Sequence, residues 1–448
     1  MKVLLISANT VTAPYPVYPL GLDYVAAALA DAHSVEIADM NLIGADALAR
    51  RISGFEPDAV GISLRNVDNT DTTDPQGYMD GYKSLAALVR RHTDAPIILG
   101  GAGFSIFPER ILTELAADYG IVGEGERMAA LLEAMEKGTP VDAIPGILTP
   151  DQALCPPAPI AEIPVRPSPA GRPNLAFYLD HGGMLNVQTK RGCPFRCIYC
   201  TYPHIEGKRF RLMDPDIVGQ TAKAAQEAGA RYFFITDSAF NADVDHSLAV
   251  AQALRKHGVS IPWGAFLAPM KMPDRYFDTL RSAGMTHAEF GTEALSNRVL
   301  KAYGKPFGRD EVLRAHEQAN RADLHVAHYL LLGGPGETAD TLDQTLSHAE
   351  GLKKSVLFLF CGMRIYPHTA LFDLAVEQGV IRPDQDLLVP VFYQSAAIGR
   401  DEILQRVEKA ARGRTNWVIG AGGDQTGKVL ERMYAKGFSG PLWEFLIR

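Results

Sequence analysis

Cys193, Cys197 and Cys200 lie in the run Lys-Arg-Gly-Cys-Pro-Phe-Arg-Cys-Ile-Tyr-Cys, spaced Cys-x3-Cys-x2-Cys. A four-iron four-sulfur (4Fe-4S) cluster has four iron corners, each needing a thiolate or an equivalent ligand. Three thiolates on one short loop therefore hold three corners and leave the fourth iron open for chemistry. The competing metal is zinc, whose structural sites close with four Cys or His ligands, usually as two separated pairs. No second pair exists in this sequence, and His204, four residues after Cys200, is the candidate that would complete a zinc site. A disulfide framework needs an oxidising compartment, whereas three of the five cysteines share this loop. Cys155 falls in a proline-rich stretch and is read as incidental. Cys361 is either a further ligand or hydrogen donor or, as is commoner for a buried thiol, inert.

The spacing, the Gly192-Cys193-Pro194 opening and Tyr199 just before the last cysteine resemble the signature loop of the radical SAM superfamily. The resemblance implies that the open iron is chelated by the amino and carboxylate groups of S-adenosyl-L-methionine (SAM). One electron from the cluster would then cleave SAM to methionine and a 5′-deoxyadenosyl radical, with the protein supplying position and exclusion of solvent.

Two alternations of strand and helix signals must position such a loop. In residues 1–148, strands are expected at 3–7, 34–37, 59–63 and 96–100, with helices at 21–31 and 81–92. This predicts an α/β unit of Rossmann type, a parallel sheet with helices on both faces and ligands at the carboxyl ends of its strands. Those ends carry Asp39, Asn41 and Gly44, then Ser63 and Leu64, then Gly100, Gly101 and Gly103. Their order resembles a cobalamin-binding domain, whose pattern is Asp-x-His-x-x-Gly, then Ser-x-Leu, then Gly-Gly. Asn41 stands where the family's cobalt-ligating His would stand, and a carboxamide is a poor cobalt ligand beside imidazole. The resemblance therefore implies cobalamin held without a protein His on cobalt, with the three glycines letting a bulky nucleotide tail approach the backbone. The Gly123-Glu124-Gly125 turn would close the last strand onto the corrin side. A Gly-rich turn after a strand taken alone binds many nucleotides, or nothing.

Prolines at 150, 156, 157, 159, 164, 167, 169 and 173 make 149–183 a linker in which neither helix nor central strand propagates. Residues 184–382 alternate again, with strands expected at 184–189, 232–236, 262–267, 287–291, 325–332 and 357–365. Six such units predict a six-stranded partial (β/α) barrel with the cysteine loop after its first strand and functional residues at the strands' carboxyl ends. Resemblance assigns Asp237 to the SAM amino group, although an Asp there also suits a helix cap. It assigns Glu293 to the adenosyl part, where a carboxylate can accept both ribose hydroxyls, and Gly334 to a loop beside adenine. Tyr199 is placed with these SAM contacts. The last strand ends in Arg364 and Tyr366, read either as substrate-contacting catalytic residues, with Arg364 clamping a carboxylate or phosphate, or as a structural ion pair at a strand stop. Residues 383–448 form a small C-terminal extension whose helix near 400–412 and aromatics would cover the open side of the barrel.

The chain has 448 residues, 47% hydrophobic and 21% charged, the composition of a globular protein of two or three domains. A net charge of −8 argues against a nucleic-acid surface, and the basic run at Lys208, Arg209 and Arg211 is short. The opening apolar run is too short for a signal peptide and no later one approaches the length of a membrane span, so no integral membrane segment is expected and the cytoplasm is the expected compartment. Both halves together resemble the cobalamin-binding radical SAM superfamily, close to its class B methyltransferases. The resemblance implies methylation of an unactivated carbon, or more rarely phosphorus, of a small-molecule, pigment or lipid substrate, with electrons from flavodoxin or ferredoxin. The alternatives are a non-methylating radical oxidation, cyclisation or rearrangement with the same cofactors, and a cobalamin or iron-sulfur sensor without turnover. A sensor would not need an open iron together with Asp237 and Glu293.

Overall fold

The computed structural model describes residues 1–160, 162–420 and 423–447. Its first sheet is built from β1 (Lys2–Ser7), β2 (Ser34–Asp39), β3 (Ala59–Ser63), β4 (Ile97–Gly100), β5 (Tyr119–Ile121) and β6 (Ile147–Leu148) in the order β2-β1-β3-β4-β5-β6. All pairings are parallel except that of β6, which runs antiparallel to β5. Strands buried on both faces read as continuous apolar runs, as in the Val3–Ile6 segment of β1. Val3 and Leu5 face a core shared with helices Leu20–Leu29 and Met128–Lys137, whereas Leu4 and Ile6 face a core that includes Leu48, Ile52, Tyr82 and Leu85. The strand order reverses direction between β1 and β3, and ligands of such sheets settle at that switch point.

The second sheet follows β7 (Met184–Val187), β8 (Lys190–Arg191), β9 (Arg211–Leu212), β10 (Tyr232–Ile235), β11 (Trp263–Leu267), β12 (Met285–Glu293), β13 (His325–Leu332), β14 (Ser355–Cys361), β15 (Met363–Arg364), β16 (Phe392–Tyr393) and β17 (Trp417–Ile419). Seven of these form one parallel sheet in the order β17-β14-β13-β12-β11-β10-β7, with β7 and β17 as its edges. The sheet is open, as expected, but it has seven strands. The seventh comes from the C-terminal extension, where helix Arg400–Ala411 carries the chain back to lay three residues beside β14.

The strand expected at 357–365 is also shorter than the sequence suggests. It stops at Cys361 because Gly362 has φ +84°, a conformation that favours glycine and breaks the ladder. The chain resumes as β15 in an antiparallel pair with β16. Arg364 and Tyr366 are thereby turned away from the parallel sheet.

The two units share one continuous core that runs from Leu4 and Ile6 of β1 to Leu330 of β13 and Leu359 of β14. The proline-rich segment adds a buried ion pair. Arg166 donates to Asp23 Oδ2 from Nε (3.0 Å) and Nη2 (2.9 Å), and to the carbonyl of Asn186 on β7 (2.7 Å).

Candidate functional site

The cysteine loop is pinned at its base by β8 and β9, which pair antiparallel and bracket residues 192–210. Gly192 has φ +84°, and a Cβ there would lie 2.1 Å from the Arg209 carbonyl oxygen. Cys193 N donates to the Gly207 carbonyl and Cys200 N to that of Cys197. A second strap comes from outside the loop. Tyr303 accepts from Ile198 N at 3.1 Å, and Gly304, at φ +69°, packs against the Arg196 carbonyl so closely that a Cβ would stand 2.4 Å from it. Cys193 is buried and the other two thiols are half-buried. Burial pushes the Cys200 thiol up to about 12 and raises that of Cys197. Such thiols become thiolate ligands by releasing a proton to solvent as iron binds.

The strap delivers Lys305 to the loop. Its Nζ lies 3.8 Å from Cys197 Sγ, 2.9 Å from Tyr199 Oη and 3.0 Å from Glu293 Oε1. Tyr199 Oη donates to the same carboxylate oxygen at 2.7 Å. Glu293 closes β12 at φ +62°, where the register with β13 slips between Gly291 and Glu293. A non-glycine residue held there is strained, and such strain gathers at functional sites. Its second oxygen, Oε2, has no hydrogen-bond partner among the described residues. His204, the candidate for a fourth zinc ligand, stacks on His368 with ring centroids 4.5 Å apart.

In the first unit, a cavity of about 230 Å³ opens at the β1/β3 switch point, lined by Leu5, Gly61, Ser63, Gly100 and Met128 and by Arg191 of the second unit. Gly100 presents bare backbone, since a Cβ there would meet nothing nearer than 3.9 Å. Arg191 reaches this cavity while pairing with Glu124 (2.8 Å) and Glu126 (2.7 Å), and Arg211 joins Glu124 at 2.7 Å. The base of the cysteine loop is thus bolted to the turn that closes the first sheet. Arg65 lies just beyond β3 and is exposed. Tyr15 and Tyr202 lie within its electrostatic reach, and it has no ion pair among the described residues.

Comparison with known proteins matches a B12 binding domain to residues 6–133 and the radical SAM superfamily to residues 187–349. The chain belongs to the cobalamin-binding radical SAM superfamily. It is 25% identical to the tryptophan 2-C-methyltransferase of Streptomyces laurentii, over 81% of this chain and 73% of that one. It is 24% identical to the cytidylyl-2-hydroxyethylphosphonate methyltransferase of Streptomyces wedmorensis, over 85% and 82%. Its fold is shared with the radical S-adenosylmethionine methyltransferase TsrM of Kitasatospora setae, solved with tryptophan and a SAM analogue bound. That match has a TM-score of 0.90 at 20% identity and covers 99% of this chain and 97% of that one.

The cofactors of this superfamily are a 4Fe-4S cluster, SAM and cobalamin, and the residues present fit them unevenly. The cysteine loop with Glu293 Oε2 and the Gly100-lined cavity both offer unfilled capacity. Asp237 does not. Its carboxylate accepts from Thr189 N (2.8 Å), Thr189 Oγ1 (2.5 Å) and Lys190 Nζ (2.9 Å). Both oxygens are engaged by Thr189 and Lys190 at the base of the cysteine loop, so Asp237 braces that loop in this structure. Gly334 packs against Tyr303, whose Oη would lie 2.5 Å from a Cβ there, so that packing alone accounts for its lack of a side chain.

Arg364 is likewise saturated. It donates to Asp68 Oδ2 (2.9 Å) and to the carbonyls of Ile365 (2.6 Å) and Leu387 (2.5 Å), all buried. Tyr366 Oη lies 3.5 Å from Asp68 Oδ1, with its ring against the guanidinium. Of the two readings the sequence left open, these contacts match the ion pair, which joins β15 to the loop after β3. Cys361 is buried, with a thiol pushed up to about 12, the state of an inert side chain.

On the cobalamin side, Gly101 (φ +99°) and Gly103 serve packing, since Cβ atoms would fall 2.5 Å from Leu64 O and 3.0 Å from the Asn66 carbonyl carbon. Leu64 is core, while Ser63 lines the cavity. Asp39 accepts from Tyr178 Oη (2.7 Å) and Asn174 (3.0 Å) of the connecting segment, and Asn41 Nδ2 donates to Tyr178 Oη (3.2 Å). Asn41 Oδ1 is buried without a partner among the described residues, an acceptor left over for a bound group. Gly44 precedes helix Ala45–Phe55, and neither it nor Asp39 nor Asn41 lines the cavity. Sequence reading missed Lys305, Arg65 and Arg191. The Gly304-Lys305 pair after helix Asn297–Ala302 was the available signal for the first.

Proposed function

We propose that this enzyme moves a methyl group from SAM, by way of cobalamin, to an unactivated carbon or phosphorus of a small molecule. The single observation that carries this reading is the bolt between its two halves. Arg191 belongs to the ribbon under the cysteine loop, lines the cavity at the cobalamin-side switch point and pairs with Glu124 and Glu126. Two cofactor sites held by one buried salt-bridge network are organised to serve one reaction. The cluster supplies one-electron chemistry and cobalamin supplies a methyl carrier.

The chain's own residues do the rest. Cys193, Cys197 and Cys200 would hold three irons, and Glu293 would present Oε2 to the ribose hydroxyls of SAM while Tyr199 and Lys305 fix its other oxygen. Lys305 adds positive charge beside Cys197, which favours the reduced cluster. The Arg191 network, buried at the seam, holds the base of the cysteine loop against the turn that closes the first sheet. The relatives named above act on an amino acid and on a phosphonate nucleotide, which supports a small-molecule acceptor for this chain. Among the described residues no helix is long and apolar enough to cross a membrane.

The test is anaerobic reconstitution with iron, sulfide and cobalamin, followed by reduction and methyl-labelled SAM. S-adenosylhomocysteine together with labelled product supports the reading. Formation of 5′-deoxyadenosine alone, with cobalamin bound, would replace it with a non-methylating radical reaction, and binding without either product would replace it with a sensor.

A further inference from the structure

Four polar side chains pass hydrogen bonds through the core of the second unit, and the chemistry above uses none of them. Asn320 and His316 stand one turn apart on helix Arg309–Arg321, His328 is on β13 and Thr292 on β12. Asn320 Nδ2 donates to the carbonyl of Lys353 at 3.0 Å and lies 2.9 Å from His316 Nε2. His316 Nδ1 lies 3.0 Å from His328 Nε2, and His328 Nδ1 lies 2.7 Å from Thr292 Oγ1. Thr292 and His328 are wholly buried and His316 nearly so. Burial lowers the pKa of both imidazoles, that of His316 to about 4, so both are neutral and each ring carries one donor and one acceptor.

The placement of the protons is then fixed. An amide nitrogen only donates, so His316 Nε2 accepts from Asn320, His316 Nδ1 donates to His328 Nε2, and His328 Nδ1 donates to Thr292 Oγ1. All four ring nitrogens are used, and a fully satisfied buried network holds one geometry.

What that geometry holds is the turn at Glu293. Ala294 N donates to the Thr292 carbonyl at 2.8 Å, which makes Glu293 the central residue of a three-residue γ-turn, and its φ of +62° gives the rare, strained form of that turn. Such strain persists only where the surroundings over-determine it. Here both flanks are gripped. His328 takes the Thr292 hydroxyl on one side, and Thr345 Oγ1 of helix Ala339–Ala349 accepts from Leu295 N at 3.3 Å on the other. A hydrocarbon side chain at position 328 would fill the core without gripping the turn.

We propose that the His316–His328 pair is a positioning device that fixes the backbone of the Glu293 turn and thereby aims Glu293 Oε2 at SAM. The proposal rests on the reading of Glu293 as a SAM contact. Neither histidine is a catalytic residue, since each acts through Thr292.

The experiment measures binding of labelled SAM to the anaerobically reconstituted holoenzyme by equilibrium dialysis, which needs no turnover. Thr292→Val removes the hydroxyl, Thr292→Ser keeps it, and His328→Leu removes the imidazole, each with Glu293 present and in a Glu293→Ala background. With Glu293 present, Thr292→Val and His328→Leu should each weaken SAM binding about tenfold, the size of coupling found within one hydrogen-bond network. Thr292→Ser should bind SAM nearly as the unsubstituted protein does, and cobalamin binding and cluster absorbance should hold in all three. In the Glu293→Ala background the losses from Thr292→Val and His328→Leu should vanish, because no carboxylate is left to aim. Should His328→Leu fail to fold, Thr292→Val decides the question alone. An equal loss in both backgrounds overturns the proposal, since the network then supports the fold at large, and so does unchanged binding in Thr292→Val. A Glu293→Ala variant that binds SAM normally overturns the reading of Glu293 itself, and the proposal with it.

Discussion

Two of the buried cation-carboxylate pairs of this molecule, Arg364–Asp68 and Lys305–Glu293, differ in what they leave undone. In the Arg364–Asp68 pair, the guanidinium donates further to the carbonyls of Ile365, Val391 and Leu387, and the carboxylate is fully enclosed. In the Lys305–Glu293 pair, the ammonium reaches beyond its partner to Cys197, the carboxylate keeps Oε2 free, and the backbone of Glu293 is strained. Both pairs look alike as residue types at strand ends. Saturation separates them, because a group whose hydrogen bonds are all met by its own chain holds the fold, while one with spare capacity is ready for a ligand.

The comparison breaks most visibly at the cysteines. Cys193→Ala, Cys197→Ala or Cys200→Ala should abolish the intact cluster, seen as lost iron and lost cluster absorbance, while cobalamin binding persists in the first unit. SAM cleavage by any of these variants would sink the assignment. Next, Arg364→Ala should cost about 3–5 kcal/mol of stability, since it strands the buried Asp68 carboxylate. A thermal melt reads this, and cluster loading per folded molecule should stay near normal. Lys305→Met should do the converse. The cluster's midpoint potential, followed by EPR-monitored titration, should fall as the charge beside Cys197 is removed, and Lys305→Arg should restore most of it. If Arg364 moves the potential, or Lys305 leaves it unchanged, saturation is the wrong criterion.

How much of this was legible in the sequence depends on how local each feature is. The cysteine loop depends on spacing within one turn of chain, and the alternating strands of both sheets depend on periodicity, so both could be read directly. The seventh strand could not, because β17 is three residues long and owes its existence to pairing with β14. For Asp237 and Arg364 the sequence left a cofactor or substrate role and a structural role both open, because position at a strand's carboxyl end does not reveal which partners claim a side chain. Asp237 is claimed by Thr189 and Lys190 and Arg364 by Asp68, a residue far away in sequence. Lys305 was invisible because only the fold brings it over the loop that begins more than one hundred residues earlier.

Glu337 extends the comparison to a carboxylate satisfied on one side alone. Gly333 N donates to Oε2 at 2.7 Å, while Oε1 is buried without a partner. Burial raises its pKa from 4.5 to about 7. Between those values the folded state holds a proton that the unfolded chain has released. The stabilisation is therefore complete below the unfolded value and is lost as pH rises through the folded one. The melting temperature should fall as pH rises from 4.5 to about 7 and level off above that, and Glu337→Gln should flatten that part of the profile. A slope unchanged by the substitution would place the titration elsewhere.

The smallest effect is expected at Asn41, where the two kinds of pair meet in one side chain. Its Nδ2 is spent on Tyr178 and its Oδ1 is left over. If Oδ1 only faces a bound cobalamin through a hydrogen bond, Asn41→Ala should weaken cobalamin by about 0.5–1.5 kcal/mol, the worth of one such bond. The cobalt absorption spectrum should not change, because no protein ligand leaves the metal. Asn41→His supplies the sharper arm. The side chain does not line the switch-point cavity, and Tyr178 and Asp39 tie the local backbone to the connecting segment. An imidazole placed there should therefore fail to shift the cobalt spectrum. A spectral shift in either variant would show that position 41 reaches the metal, and the partnerless Oδ1 would then have to be read as a ligand held in waiting.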